Sequence, residues 1–145
     1  MEALLIYILM TKINSIFIVD DDTITIYGIK KILTSVATCE AIFEFKNGQM
    51  AIDRIKKMII ENSELPDLIF LDINMPIMDG WEFLEEFIKL PINKKVNINI
   101  VTSSIDQFDM DKAENFMSLT HHTIIYNRKP IRRADIEKIT AAIAV

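Results

Sequence analysis

The stretch Ile16-Phe17-Ile18-Val19-Asp20-Asp21-Asp22 decides how the rest of the chain is read. Consecutive apolar residues with no polar alternation suit a strand buried on both faces, the habit of parallel sheets sandwiched by helices. The run stops abruptly at acids. The same pattern returns at Leu68-Ile69-Phe70-Leu71, after Pro66, and again an acid, Asp72, ends it. Ile98-Asn99-Ile100-Val101-Thr102 and Thr123-Ile124-Ile125-Tyr126 supply two further strands. Ala41-Ile42-Phe43-Glu44-Phe45 alternates as an edge strand does, and Asn47-Gly48 closes it.

Helical spacing fills the intervals. Ile26, Ile29 and Leu33 form one stripe, and Asp22 is placed to cap that helix. Met50 to Ile59 reads as an amphipathic helix. Phe83, Leu84, Phe87 and Ile88 mark a third, stopped by Pro91. Asp111-x-x-Glu114 offers a capping box for a fourth, with Ala113, Phe116 and Met117 inward. Ile136, Ile139 and Ile143 lie along one face of the last. Five βα units in succession predict an α/β fold, a doubly wound five-stranded parallel sheet with helices on both faces.

The 145 residues, half of them apolar and 26% charged, suit one domain with a real core. Residues 1–11 read as an N-terminal extension and 12–145 as the domain. The apolar run Ala3 to Leu9 is too short to span a bilayer and lacks the flanks of a signal peptide. The choice is between a packed element and non-native sequence ahead of a start at Met10, and the domain pattern favours the latter. With no membrane segment, the expected location is the cytoplasm. A net charge of −5 gives no footprint for nucleic acid or an anionic membrane, so a cation or a basic protein patch is the expected partner. Cys39 is the sole cysteine, which fits a reducing compartment and reads as a buried thiol.

In open α/β sheets, ligands bind at the carboxyl ends of strands near the point where strand order reverses. Asp20 and Asp21 end strand one, Asp72 ends strand three, Thr102 ends strand four, and Lys129 follows strand five. In the order 2-1-3-4-5, strands one and three are neighbours roughly 4.8 Å apart, so their carboxylates converge. Clustered carboxylates repel one another unless a cation joins them. Mg²⁺ suits such a place, since it takes few carboxylates, keeps waters and completes its shell with phosphate oxygens. One carboxylate could then attack phosphorus, with Lys129 offsetting the charge.

Ile18-Val19-Asp20-Asp21, then Leu71-Asp72-Ile73-Asn74-Met75-Pro76-Ile77-Met78-Asp79-Gly80, then Val101-Thr102-Ser103, then Lys129-Pro130 resemble the response-regulator receiver family. The resemblance runs from about Ser15 to Ile143, and the Asp-x-x-Met-Pro-x-Met-Asp-Gly stretch is its specific part. It implies a flavodoxin-like fold with sheet order 2-1-3-4-5 for residues 12–145, and a single-domain response regulator. Asp72 would accept a phosphoryl group from a sensor histidine kinase or histidine phosphotransfer protein in a Mg²⁺-dependent reaction. The implied metal ligands are Asp20, Asp21, Asp72 and the backbone carbonyl of Asn74. Thr102 and Lys129 would bind phosphoryl oxygens, Lys129-Pro130 would be cis, and Thr102 with Tyr126 would form the switch. Tyr126 is expected to leave an exposed rotamer for a buried one on activation. The protein is then not an enzyme in the ordinary sense but a switch assisting its own phosphorylation and dephosphorylation. With no DNA-binding or enzymatic segment after Val145, its output is expected to be a protein contact.

Two departures stand out. Asn127 occupies a place where receivers put a buried apolar residue, and the fourth helix matches little of the family. Other readings are weaker. A haloacid-dehalogenase-like phosphatase wants Asp-x-Asp-x-Thr/Val, whereas Asp20-Asp21-Asp22-Thr23-Ile24 ends in Ile and leaves Asp72 unexplained. A flavin protein of this fold lacks its phosphate loop here. His121-His122 on extended backbone would point to opposite faces, which disfavours a metal pair. Trp81 reads as a partly buried anchor near the site.

Overall fold

The computed structural model describes residue 2 and residues 11–143. The apolar run Ala3 to Leu9 lies outside the described residues. Five strands, β1 (Thr11–Val19), β2 (Ala37–Phe45), β3 (Leu68–Leu71), β4 (Asn97–Thr102) and β5 (Thr123–Arg128), form one parallel sheet in the order β2-β1-β3-β4-β5. The helices are α1 (Thr23–Val36), α2 (Gly48–Ile60), α3 (Gly80–Phe87), α4 (Gln107–Leu119) and α5 (Arg133–Ile143). The expected α/β, flavodoxin-like arrangement is the one observed.

Alternation along the strands divides the interior into two cores. Ile16, Ile18, Leu68, Phe70 and Val101 face one way and pack with Ile26, Ile29 and Leu33 of α1 and Ile136 and Ile139 of α5. Phe17, Val19, Ile69, Leu71, Ile98 and Ile100 face the other, against Ile52 and Ile55 of α2, Phe83 and Phe87 of α3, and Ala113 and Phe116 of α4. Burial on both faces is what produced the unbroken apolar runs. Among the described residues no helix is long and apolar enough to cross a membrane.

β1 begins earlier than its apolar run suggested. Thr11 pairs with Ala37, whereas the β1–β3 ladder starts only at Ile16 and Leu68. The early part of β1 therefore has a neighbour on one side only, and polar residues are tolerated there. Cys39, in this region, is half-buried rather than buried, its thiol accompanied by the Ala41 carbonyl at 3.0 Å. Burial pushes that thiol's pKa up.

Asp22 caps α1 as expected, accepting the Ile24 amide at 3.0 Å. α4 departs from expectation. Its N-cap is Asp106, which accepts from the Phe108 amide, and Asp111 lies inside the helix. Ala113 and Phe116 face inward, but Met117 is exposed. Asn127 is accommodated by a second amide: its Nδ2 donates to Asn99 Oδ1 and to the Ile100 carbonyl, both at 3.1 Å. Asn99 is itself buried, so each polar side chain answers the other. Trp81 is buried between α3 and α4, stacked on Phe116 with ring centroids 5.9 Å apart, and Lys112 Nζ stands 5.3 Å from its ring centre.

Candidate functional site

Register places the acids. Val19 pairs with Leu71, so the next residue on each strand, Asp20 and Asp72, emerges at the same level. The Asp72 amide donates to the Val19 carbonyl at 2.8 Å and the Asp20 amide to the Phe45 carbonyl at 2.9 Å, fixing both backbones. Asp20 and Asp72 are buried and Asp21 is exposed, and one carboxylate oxygen from each lies within 4.8 Å of the others. This is the only cluster of this kind among the described residues.

Lys129 closes the cluster from β5. Its Nζ lies 3.0 Å from Asp20 Oδ2 and 3.6 Å from Asp72 Oδ2, and its amide donates to the Thr102 carbonyl at 2.8 Å. The Lys129-Pro130 bond is cis. The remaining Asp72 oxygen, Oδ1, accepts the Ile73 amide at 2.8 Å, and Asp20 Oδ1 accepts the Asp22 amide at 2.9 Å. Burial and the neighbouring Asp20 push the Asp72 carboxyl up to about 6, against the pull of Lys129. Burial alone would lower Lys129, but the Asp20 carboxylate outweighs it and holds the ammonium above its ordinary value.

The loop after Asp72 is clamped by two glycines. Gly80 donates its amide to the Ile73 carbonyl at 2.9 Å, and Gly48 donates to the Met78 carbonyl at 2.9 Å. Asp79 caps α3 with a full capping box, accepting the Glu82 amide while Glu82 reaches back to its own. Ile77 takes a φ of 71° and is exposed, an uncommon backbone for a β-branched residue. Asn74 is exposed in the same loop, two residues past Asp72.

Thr102 ends β4 wholly buried, and its Oγ1 accepts the Ser104 amide at 3.3 Å. Tyr126 does not start in an exposed rotamer. Its ring is half-buried against the core, and its hydroxyl donates to the Ser104 carbonyl at 3.0 Å. Ser104 is a junction that sequence spacing does not reveal, because its three bonds run to Thr102, Asp109 and Tyr126 through the fold. The two histidines are not on opposite faces. They lie in the turn before β5 with ring centroids 4.0 Å apart, and buried His122 accepts the Val96 amide on Nδ1 at 3.0 Å. Neither belongs to a metal-binding group of side chains among the described residues.

The donor set fits a divalent cation. Three carboxylates with a single ammonium leave uncompensated negative charge in a partly buried place, and all the offered ligand atoms are hard oxygens.

The response regulator receiver domain family matches residues 16–141. The chain belongs to the response-regulator receiver family. This receiver is 33% identical over 124 residues to sporulation initiation phosphotransferase F of Bacillus subtilis, covering 83% of the chain and 90% of that protein. It is 28% identical to the transcriptional regulatory protein HptR of Staphylococcus aureus, with 86% of the chain matched but only 44% of HptR spanned. Among solved structures, a two-component response regulator from Cytophaga hutchinsonii superposes with a TM-score of 0.75 at 27% identity, covering 91% of this chain and 97% of that one. The Mn²⁺-bound form of response regulator Rcp1 does so at 0.69 and 25% identity, over 90% and 91%.

Proposed function

We propose that this receiver is a phosphorylation switch in which Asp72 takes a phosphoryl group from the phosphohistidine of a sensor kinase or histidine phosphotransfer protein. The observation that carries the reading is the convergence of Asp20, Asp21 and Asp72 within 4.8 Å, with Lys129 at 3.0 Å from Asp20 and 3.6 Å from Asp72. An Asp72 oxygen would form the bond to phosphorus as the P–N bond to the donor imidazole breaks. The Ile73 amide on Oδ1 orients the carboxylate and leaves Oδ2 toward Lys129. Lys129 would draw a phosphoryl oxygen as charge accumulates there, and the Thr102 hydroxyl would donate to another.

Mg²⁺ held by Asp20, Asp21, Asp72 and the Asn74 carbonyl would supply the positive charge that three carboxylates and a phosphoryl group require. The Mn²⁺-bound Rcp1 relative supports a divalent ion in such a pocket, and the name of the Bacillus subtilis relative supports phosphoryl transfer. The place of action is the cytoplasm, where kinase domains meet ATP.

The signal would leave through α4, β5 and α5 to a protein partner. The Tyr126–Ser104 bond joins β5 to the loop after β4, so a shift of that loop on phosphorylation would be carried to β5.

Acetyl phosphate or phosphoramidate with Mg²⁺ should add one phosphoryl group, read by intact mass and labile to hydroxylamine as acyl phosphates are. Asp72→Asn should abolish it, because an amide is not a competent nucleophile. Full labelling of that variant on Asp20 or Asp22 would overturn the assignment in favour of phosphatase-like chemistry.

A further inference from the structure

Thr102 is joined to the helix that follows it through one residue. The Ser104 amide donates to Thr102 Oγ1 at 3.3 Å, its hydroxyl donates to Asp109 Oδ2 at 2.6 Å, and its carbonyl accepts the Tyr126 hydroxyl at 3.0 Å. The same hydroxyl oxygen accepts the Asp106 amide at 3.2 Å. Asp106 is the N-cap of α4, and Asp109 sits in its first turn, so the Ser104 side chain grips both ends of that turn. A carboxylate acceptor makes the Ser104–Asp109 bond charge-assisted, roughly twice as strong as a neutral one.

The hub has two separate exits. One runs from the Ser104 hydroxyl to α4, the other from its carbonyl to β5. Thr102 Oγ1 already accepts a bond, and no acceptor engages its proton among the described residues, so that proton is free to meet a phosphoryl oxygen. Ile105 and Phe108, 72% and 68% exposed, ride on the linker and first turn that Ser104 grips.

We propose that Asp109 is a positioning residue of the switch: by holding the Ser104 hydroxyl it makes the first turn of α4, with Ile105 and Phe108, move with Thr102. Tyr126 carries the same movement to β5 by its own bond. This rests on Asp72 as acceptor and Thr102 as the first group to move. As Thr102 is drawn toward an occupied Asp72, the Ser104 amide follows, and the Ser104 hydroxyl pulls Asp109 after it. A helix-capping role is a different matter. An acid in the first turn favours a helix N-terminus whether or not Asp72 is occupied. Loss of capping would therefore disturb α4 in the free protein, whereas loss of the relay removes only its response.

The test is amide-shift mapping of the whole chain with Mg²⁺ and beryllofluoride, a mimic of the bound phosphoryl group. Wild type should respond in the Asp72 loop, in residues 105–110 and around Tyr126. Asp109→Ala and Ser104→Ala, which break the bond from opposite ends, should each reduce the 105–110 response several-fold while the other two remain. Ser104→Thr, which restores a hydroxyl, should recover it, and Tyr126→Phe should lose the β5 response alone. A full 105–110 response in both bond-breaking variants overturns the proposal. So does a loss already visible as melted α4 shifts in the free variants, which is the capping outcome. If the wild-type Asp72 loop itself fails to respond, the phosphoacceptor reading falls and takes the relay with it, a result distinguishable from a selective loss at α4.

Discussion

A β-carbon at Gly80 would meet the Asp72 carbonyl oxygen, and would lie 2.8 Å from Ile73 Cδ1 and 2.9 Å from Ile73 Cα. The glycine is needed for space, since its φ is not positive. It lets the start of α3 press directly on the backbone that carries Asp72. Gly80→Ala must push that loop away, and backbone cannot yield as a side chain end can. We expect a loss of about 1–3 kcal/mol, read as a lower urea midpoint, together with slower phosphorylation by acetyl phosphate. A variant of unchanged stability and rate would mean the loop has slack that the contacts deny. At Asp21, exposed beside its two buried neighbours, the expectation concerns the ion. Mg²⁺ should bind weakly, on the order of millimolar, because it keeps most of its waters. Asp21→Ala should weaken the titration at least tenfold, followed by calorimetry or by Trp81 emission, and an unchanged titration would remove Asp21 from the ligand set.

Among the helices, α4 is the least anchored. Only Ala113 and Phe116 are buried along it, against Gly48, Ala51, Ile52, Ile55 and Met58 along α2. Local opening free energy follows buried apolar contact, so α4 amides should exchange with deuterium well before those of α2 or β3. Equal protection across these elements would contradict the ranking. The same thinness explains what the sequence hid. Asp20, Asp21, Asp72 and Lys129 were legible because each of the acids ends an apolar run and topology then brings the runs side by side. At α4 the Asp111-x-x-Glu114 spacing suggested a start that the structure places inside the helix, with little apolar periodicity to correct it. Asp106 is the cap, its side chain accepting the Phe108 amide, and Asp109 is engaged by the Ser104 hydroxyl, a contact that no spacing rule encodes. The polar beginning of β1 was hidden for a related reason, since a half-paired strand need not be apolar. The histidine rings lie together because the chain turns there, where extended backbone would have pointed them apart.

At the scale of the whole molecule, the core beneath α3 is tied to the entrances of β4 and β5 by one titratable group, His122. It is buried, packs 4.9 Å from the Phe87 ring centre, and accepts the Val96 amide on Nδ1. Burial, reinforced by the adjacent His121, lowers its pKa to about 4. An unfolded histidine titrates near 6.5, so between those values the unfolded chain holds a proton that the native chain refuses. Stability from this group is therefore complete above about pH 6.5 and declines as pH falls toward 4. The loss by pH 4.5 should be roughly 2 kcal/mol, given that one pKa unit corresponds to about 1.4 kcal/mol. His122→Asn retains an acceptor near the Val96 amide but cannot titrate. Its urea midpoint at pH 7 should be lower than wild type, because the ring packing on Phe87 is lost. Its further decline between pH 7 and 4.5 should be smaller than that of wild type by about the same 2 kcal/mol. Taking the difference between the two proteins cancels every other titrating group they share. Parallel pH profiles would show that His122 titrates in the fold as it does in the unfolded chain, and that burial does not hold it neutral.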